Sequence, residues 1–248
     1  MLKLNTIDPA LYQVLNDLSK LPELSNFSLV GGTALALQLG HRKSDDLDFF
    51  TDRSFDLLVV KNAILNYNRQ VQFINEGPLG LSFIMPLPGN EDDVRKLDIY
   101  NWAVKFIRPA IIEGSIRLAS LEDIAAFKLD AIVRRKEKKD YVDIAMLLKK
   151  FSFSQMLDFY REKYPMNDQR LVLTQILDKE GLENSVNPEM LIELSPEQAF
   201  DQVQQSVQLY SNERLERKDS LEKERWKKIG DLLEKRRQEP RKGKGKSL

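Results

Sequence analysis

The chain contains no cysteine, which excludes disulfides and thiolate metal sites and suits a reducing compartment. It has a single histidine, His41, so chemistry built on paired imidazoles is not expected, and an ordinary loop position is expected for that residue. No apolar run approaches the ~20 residues that span a bilayer. The N-terminus also lacks the basic, apolar, small-residue order of a signal peptide. A cytoplasmic protein with no membrane contact is therefore expected. An excess of one charge is missing too. Lys and Arg total 38 against 38 Asp and Glu, so no overall field draws nucleic acid to the surface. The basic residues are nonetheless unevenly placed. Arg134, Arg135, Lys136, Lys138 and Lys139 crowd one stretch, and Lys235, Arg236, Arg237, Arg241, Lys242, Lys244 and Lys246 load the tail. The first cluster reads as a solvated loop or as a grip on an RNA backbone.

What is present is a globular composition, 42% apolar and 31% charged over 248 residues, enough for one large or two small domains. Asp8-Pro9 opens a helix with Leu11, Val14, Leu15 and Leu18 on one face, ended by Pro22. Phe27 to Val30 reads as a short buried strand, and Thr33 to Leu39 as a helix stopped by Gly40. Asp46 to Phe50 alternates as a second strand. A helix near Phe55 to Tyr67 is expected to present Phe55, Leu58, Val59 and Ala63 together. Val71–Ile74, Leu81–Ile84 and Arg95–Trp102 read as further strands, the last two separated by a turn at Pro86 to Asn90. Helices dominate from Ser120, where Ser120 and Asp123 form a capping-box pattern. Asp140 is expected to cap the next helix, through Lys150. Weaker helices follow near Gln155–Tyr164, Asp168–Leu177 and Pro196–Leu209. Asn212–Gln238 is a charged helix with a narrow stripe of Trp226, Ile229 and Leu233, and a disordered basic tail closes the chain.

The fold class is thus α+β, a mixed sheet flanked by helices and followed by a helical C-terminal half. The divisions expected are 1–115 for the sheet domain, 116–210 for a helical domain that completes the site, and 211–248 for the charged helix and tail.

Three features carry chemistry. Gly31-Gly32 joins a strand to a helix, where bare backbone and the helix N-terminus, continuing through Thr33, admit phosphate oxygens. Asp46 and Asp48 stand two apart on a strand, so both leave the same face, with Cα atoms about 6–7 Å apart. Two such carboxylates suit a hard divalent cation, Mg²⁺ or Mn²⁺, shared with phosphate. Asp98 sits inside Lys96-Leu-Asp-Ile-Tyr100, an uncommon place for an acid unless it completes such a site. Taken singly, each has a plainer reading: a tight turn, an exposed strand, and a polar edge strand.

Together, a Gly-Gly turn, a short helix, Asp-x-Asp and a distal strand Asp resemble the nucleotidyltransferase superfamily signature. Leu29-Val-Gly-Gly-Thr-Ala-Leu-Ala-Leu-Gln-Leu-Gly-His-Arg-Lys-Ser-Asp-Asp-Leu-Asp-Phe-Phe50 resembles the opening motif of the AbiEii/AbiGii toxin-type nucleotidyltransferases. Ile116 to Ile132 and Arg135 to Ile144 resemble that family's later blocks. The resemblance implies metal binding by Asp46, Asp48 and Asp98, the last as third ligand or proton acceptor. It implies phosphate contacts by the Gly31-Gly32-Thr33 backbone, Arg42, Ser44 and Lys128, with Asp140 and Asp143 near the active site, Asp143 in a catalytic role. It further implies a nucleoside triphosphate substrate, a toxin of a toxin–antitoxin or phage-defence pair, an RNA acceptor such as tRNA, and a cognate antitoxin. The residues alone leave plainer roles open for Lys128 as a solvent-reaching side chain and for Asp140 and Asp143 as helix-start acids. A binding module without turnover, or transfer to a protein or small molecule, also stays open.

Overall fold

In the computed structural model, residues 1–101 and 104–238 are described, with backbone alone for 230 and 232–238. Trp102, the expected end of a strand, the tail from 239 onward, and the side chains of Leu233, Lys235, Arg236 and Arg237 lie outside that description. Residues Met1–Ser206 form one compact unit and Val207–Leu248 a second.

Within the first unit, helix α1 (Pro9–Leu18) starts where Asp8 accepts the amides of Ala10 and Leu11, and it buries Leu11, Val14, Leu15 and Leu18. Strand β1 is Ser28–Leu29, and α2 runs Gly31–Leu39, closed by Gly40 at φ +75°. The helix therefore begins at the glycine pair itself, two residues before the expected start. Then come β2 (Leu47–Thr51), α3 (Leu57–Tyr67), β3 (Gln72–Gly77), β4 (Gly80–Leu87) and β5 (Asn90–Asn101). The hairpin of β6 (Ile111–Glu113) and β7 (Ile116–Leu118) follows; its strands are too short for alternation to reveal them. Helices α4 (Leu121–Arg134), α5 (Lys138–Leu148), α6 (Phe153–Lys163) and α7 (Gln169–Gln175) complete the unit, together with the start of α8 (Pro196–Gln238).

Among the described residues this gives eight α-helices and one seven-stranded mixed sheet in the order β3-β4-β5-β2-β1-β7-β6. The α+β reading holds. Its expected division at 115/116 does not separate two bodies, because β7 pairs in parallel with β1, Leu29 against Leu118. Strand β2 alternates as its sequence requires: Leu47, Phe49 and Thr51 are buried while Asp48 and Phe50 face the other way. Phe50 meets Phe127 of α4 edge-on at 5.7 Å, so α4 covers the face from which Asp48 projects. Helix α4 packs in turn on α2, α5, α6 and α7.

Helix α3 is rotated from expectation. It buries Val60 and Ile64, leaving Leu58 and Val59 exposed. Four consecutive apolar residues, Leu57 to Val60, define no unique face, and the tertiary fit decides. Another feature no periodicity announced is a buried knot. Lys163 at the end of α6 donates to Asp123 at 2.8 Å, both side chains fully buried. Asp123 also accepts the amides of Ile107 and Arg108 and the hydroxyl of Ser120. Its carboxylate thus ties a loop and two helices together, while Ser120 caps α4 through the Asp123 amide.

Candidate active site

Residues on β2 and β5 bring the acids together. The two strands pair in parallel with Asp48 directly opposite Asp98, and Leu47 opposite Leu97. Register partners project from the same face, so both carboxylates enter one cavity of about 410 Å³, which Asp46 also lines just ahead of β2. Burial, followed by the charges of Asp98 and Asp46, pushes the Asp48 carboxyl up to about 6.

The turn before α2 closes against these acids. Gly31 adopts φ +69°, and a Cβ there would run into the Asp48 carboxylate. A Cβ at Gly32 would strike the Arg42 guanidinium. Both glycines are therefore needed for close approach as well as for the turn. The amide of Val30 donates to the Asp48 carbonyl at 2.8 Å, fixing the turn to β2. The Thr33 hydroxyl donates to the Asp46 carbonyl and lies 2.8 Å from Ser44 Oγ, bracing the loop that carries Arg42 and Ser44. Main-chain bonds hold this loop from outside: Ser44 N to Thr6 O, Lys43 N to Glu189 O, and Leu191 N to His41 O. The segment 186–189 thereby becomes a wall of the cavity.

Behind the loop lies a buried charge cluster. Asp143 is fully buried and accepts Arg42 Nε at 2.7 Å and Nη2 at 2.8 Å, His41 Nε2 at 2.7 Å and Lys128 Nζ at 2.5 Å. Burial alone would raise this carboxyl, but Arg42 and Lys128 hold it well below the ordinary range. Lys128 also donates to Asp140 at 2.8 Å, and Arg135 reaches Asp140 at 3.0 Å. Burial would lower Lys128; Asp140 and then Asp143 override it and keep the ammonium charged.

These contacts revise several expectations. Asp140 is not a cap: α5 starts at Lys138, and the Asp140 carboxylate serves Lys128 and Arg135. Asp140 and Asp143 do not line the cavity; they stand behind it as counter-charges that set Arg42 and Lys128 in place. His41 is buried in the same cluster rather than in an open loop. The basic stretch after α4 is ion-paired rather than simply solvated, Lys136 with Asp178 and Lys139 with Glu137. Arg135 and Lys139 do face the cavity.

Arg42, Lys128, Arg135 and Lys139 thus present positive charge opposite Asp46, Asp48 and Asp98, the complement of a polyphosphate carrying a hard cation. The donor set fits such a cation, because burial and then the charges of Asp98 and Asp46 disfavour the Asp48 carboxylate, and a cation would offset both. As the side chains stand, no group of three acidic or imidazole residues among those described is set around a common ion. Lys96 Nζ donates to Asp98 Oδ2 at 2.6 Å, and Ser82 Oγ donates to Asp98 Oδ1 at 2.6 Å.

The model of the family described as nucleotidyl transferase AbiEii toxin, type IV toxin–antitoxin system, matches residues 13–234. The chain belongs to this family. An uncharacterized Aquifex aeolicus protein is 28% identical to this AbiEii-family chain over 159 residues, 62% of the chain and 73% of the relative. JHP933 from Helicobacter pylori shares the fold with a TM-score of 0.52 and 21% identity, covering 90% of this chain and 97% of its own. MenT4, a nucleotidyltransferase toxin from Mycobacterium tuberculosis, shares it with a TM-score of 0.55 and 13% identity, covering 80% and 81%. At these identities the two structures speak for the fold alone.

Of the residues expected from the sequence, Gly32, Thr33, Arg42, Ser44, Asp46, Asp48, Asp98 and Lys128 meet at the cavity of this AbiEii-family chain, with Gly31 touching Asp48. Lys43, Lys96, Ser82 and the 186–189 wall belong to no motif of the sequence. Lys96 was findable, since Lys-Leu-Asp on a strand puts the lysine on the acid's own face. The wall was not, because its placement depends on main-chain pairing across some 150 residues.

Proposed function

We propose that this AbiEii-family nucleotidyltransferase toxin depends on a divalent cation, Mg²⁺ or Mn²⁺, held by Asp46, Asp48 and Asp98. It transfers a nucleotidyl group from a nucleoside triphosphate to a hydroxyl of an RNA acceptor, tRNA being the acceptor the family resemblance favours. Its main support is the parallel pairing of Asp48 with Asp98, facing a glycine-lined helix start and a ring of basic side chains. A cognate antitoxin and a cytoplasmic site of action belong to the same reading. No described helix is long and apolar enough to cross a membrane.

When bound, the cation would neutralise phosphate charge and orient the α-phosphate for in-line displacement. The chain's own residues divide the remaining work. The Gly31-Gly32-Thr33 backbone and Ser44 seat phosphate oxygens at the positive end of α2. Arg42 and Lys128, fixed by Asp143 and Asp140, offset the charge of the leaving pyrophosphate. Asp98 takes the proton of the acceptor hydroxyl as its oxygen bonds to the α-phosphorus and the bond to pyrophosphate breaks.

The test is transfer of label from α-labelled triphosphates to total RNA, wild type against Asp46→Ala. Labelling is expected with wild type and a loss of at least about a hundredfold in the variant. Equal labelling by both proteins would remove the mechanism. Triphosphate binding by calorimetry without product on any acceptor would favour a binding module instead.

A further inference from the structure

The register Leu47 to Leu97 and Asp48 to Asp98, carried one step back, sets Asp46 beside Lys96. With Asp48 and Asp98 paired on β2 and β5, and Asp46 just ahead of β2, three carboxylates and the Lys96 ammonium are grouped at this edge of the cavity. The two oxygens of Asp98 are held very differently. Oδ1 is held by Ser82, a buried hydroxyl itself 2.8 Å from Tyr100 Oη, which in turn accepts Asn75 Nδ2 at 3.2 Å. Oδ2 is held by Lys96, whose long side chain is 49% exposed. The hydroxyl network is fixed by three strands, whereas the ammonium rides on a four-carbon stem that swings at small cost. An ion pair whose ammonium is half exposed is weak, so a divalent ion facing three carboxylates displaces it. Arg42 and Lys128 have no such freedom, buried as they are against Asp140 and Asp143.

We infer that Lys96 is a built-in stand-in for the catalytic cation, holding Asp98 in the metal-free protein and turning to the nucleotide phosphates once the cation enters. This rests on the metal site proposed above. Lys96 lines the cavity, so the released ammonium stays within the space a triphosphate would fill. Ser82 keeps Asp98 oriented through the exchange. The lysine thereby makes metal binding weaker and nucleotide binding stronger than the three acids alone would.

The experiment is calorimetric titration of the full chain with Mn²⁺, and then with a non-hydrolysable triphosphate analogue in saturating Mn²⁺. Wild type is compared with Lys96→Met, Lys96→Arg and Asp48→Asn. Lys96→Met is expected to bind Mn²⁺ roughly three- to tenfold more tightly and the analogue several-fold more weakly, the effects of removing one nearby positive charge. Lys96→Arg keeps the charge and should stay close to wild type in Mn²⁺ affinity. Unchanged or weaker Mn²⁺ binding by Lys96→Met would overturn the stand-in role, provided Asp48→Asn loses binding. Equal Mn²⁺ affinity in wild type and Asp48→Asn would instead overturn the carboxylate site itself, and the lysine's role with it. Should Lys96→Met fold poorly, Lys96→Gln supplies the same readings.

Discussion

Asp48 ties the site to protein stability at the level of a single proton. In the unfolded chain this carboxyl loses its proton near 3.8, and in the folded protein only at about 6. The native state therefore holds the extra proton between those values, and stability falls as pH rises through about 6, by no more than ~3 kcal/mol. Asp48→Asn should accordingly raise the melting temperature of metal-free protein at pH 7.5 and leave it nearly unchanged at pH 4. A thermal scan at the two pH values reads this directly, and a variant less stable than wild type at pH 7.5 would contradict it. Asp143 behaves in the opposite sense. Its carboxyl is held well below 3.8, so its contribution is present above that value and is lost as pH falls below it. Asp143→Ala would leave Arg42 and Lys128 buried with one counter-charge fewer, a loss of about 3–5 kcal/mol measurable by urea denaturation. A shift under about 1 kcal/mol would show that water or Asp140 compensates.

At the level of elements, the start of α2 is where backbone and site chemistry meet. Gly31→Ala forces an L-residue to φ +69° and drives a methyl group against Asp48. Nucleotide transfer and Mn²⁺ affinity should both fall by more than tenfold, with a destabilisation of about 1–3 kcal/mol. Retained Mn²⁺ affinity would mean that Asp48 is free to shift, and that the close approach does not matter. The glycine pair and the Asp-x-Asp strand were legible because each is a local pattern whose spacing sets the geometry; Asp98 stood out only as an acid inside a strand, and its meeting with Asp48 comes from the pairing of β2 with β5. The face of α3 was not, since Leu57 to Val60 fit either side of a helix equally. The roles of Asp123, Asp140 and Asp143 were half legible. Asp123 and Asp140 stand in the first turns of α4 and α5, with Asp143 a turn further on, but whether such an acid caps its own helix or pairs with a distant base is settled by packing.

At the level of the whole molecule, the charge-rich end is plain in the sequence but its continuity is not: α8 runs Pro196–Gln238 as one helix. Its buried side chains, Ala199, Phe200, Val203 and Val207, all fall in the first third. From Ser211 to Ile229 every residue is exposed, Leu215, Leu221 and Trp226 included. Helical order there must come from propensity and from the i, i+4 spacing of opposite charges in the sequence, as at Glu213 and Arg217 or Glu224 and Lys228, worth at most a few tenths of a kcal/mol each. A segment stabilised this way contributes little to a core. Ending the chain after Ser211 should therefore leave the melting temperature within about 2 °C of the full-length value and Mn²⁺ affinity within about twofold. Far-UV circular dichroism should lose helical signal in proportion to the residues removed. If the shortened chain keeps Mn²⁺ and triphosphate binding yet no longer labels RNA, the exposed helix serves the acceptor and leaves the chemistry to the sheet. A collapse in melting temperature would instead show that α8 beyond Ser211 supports the fold, against what its exposure implies.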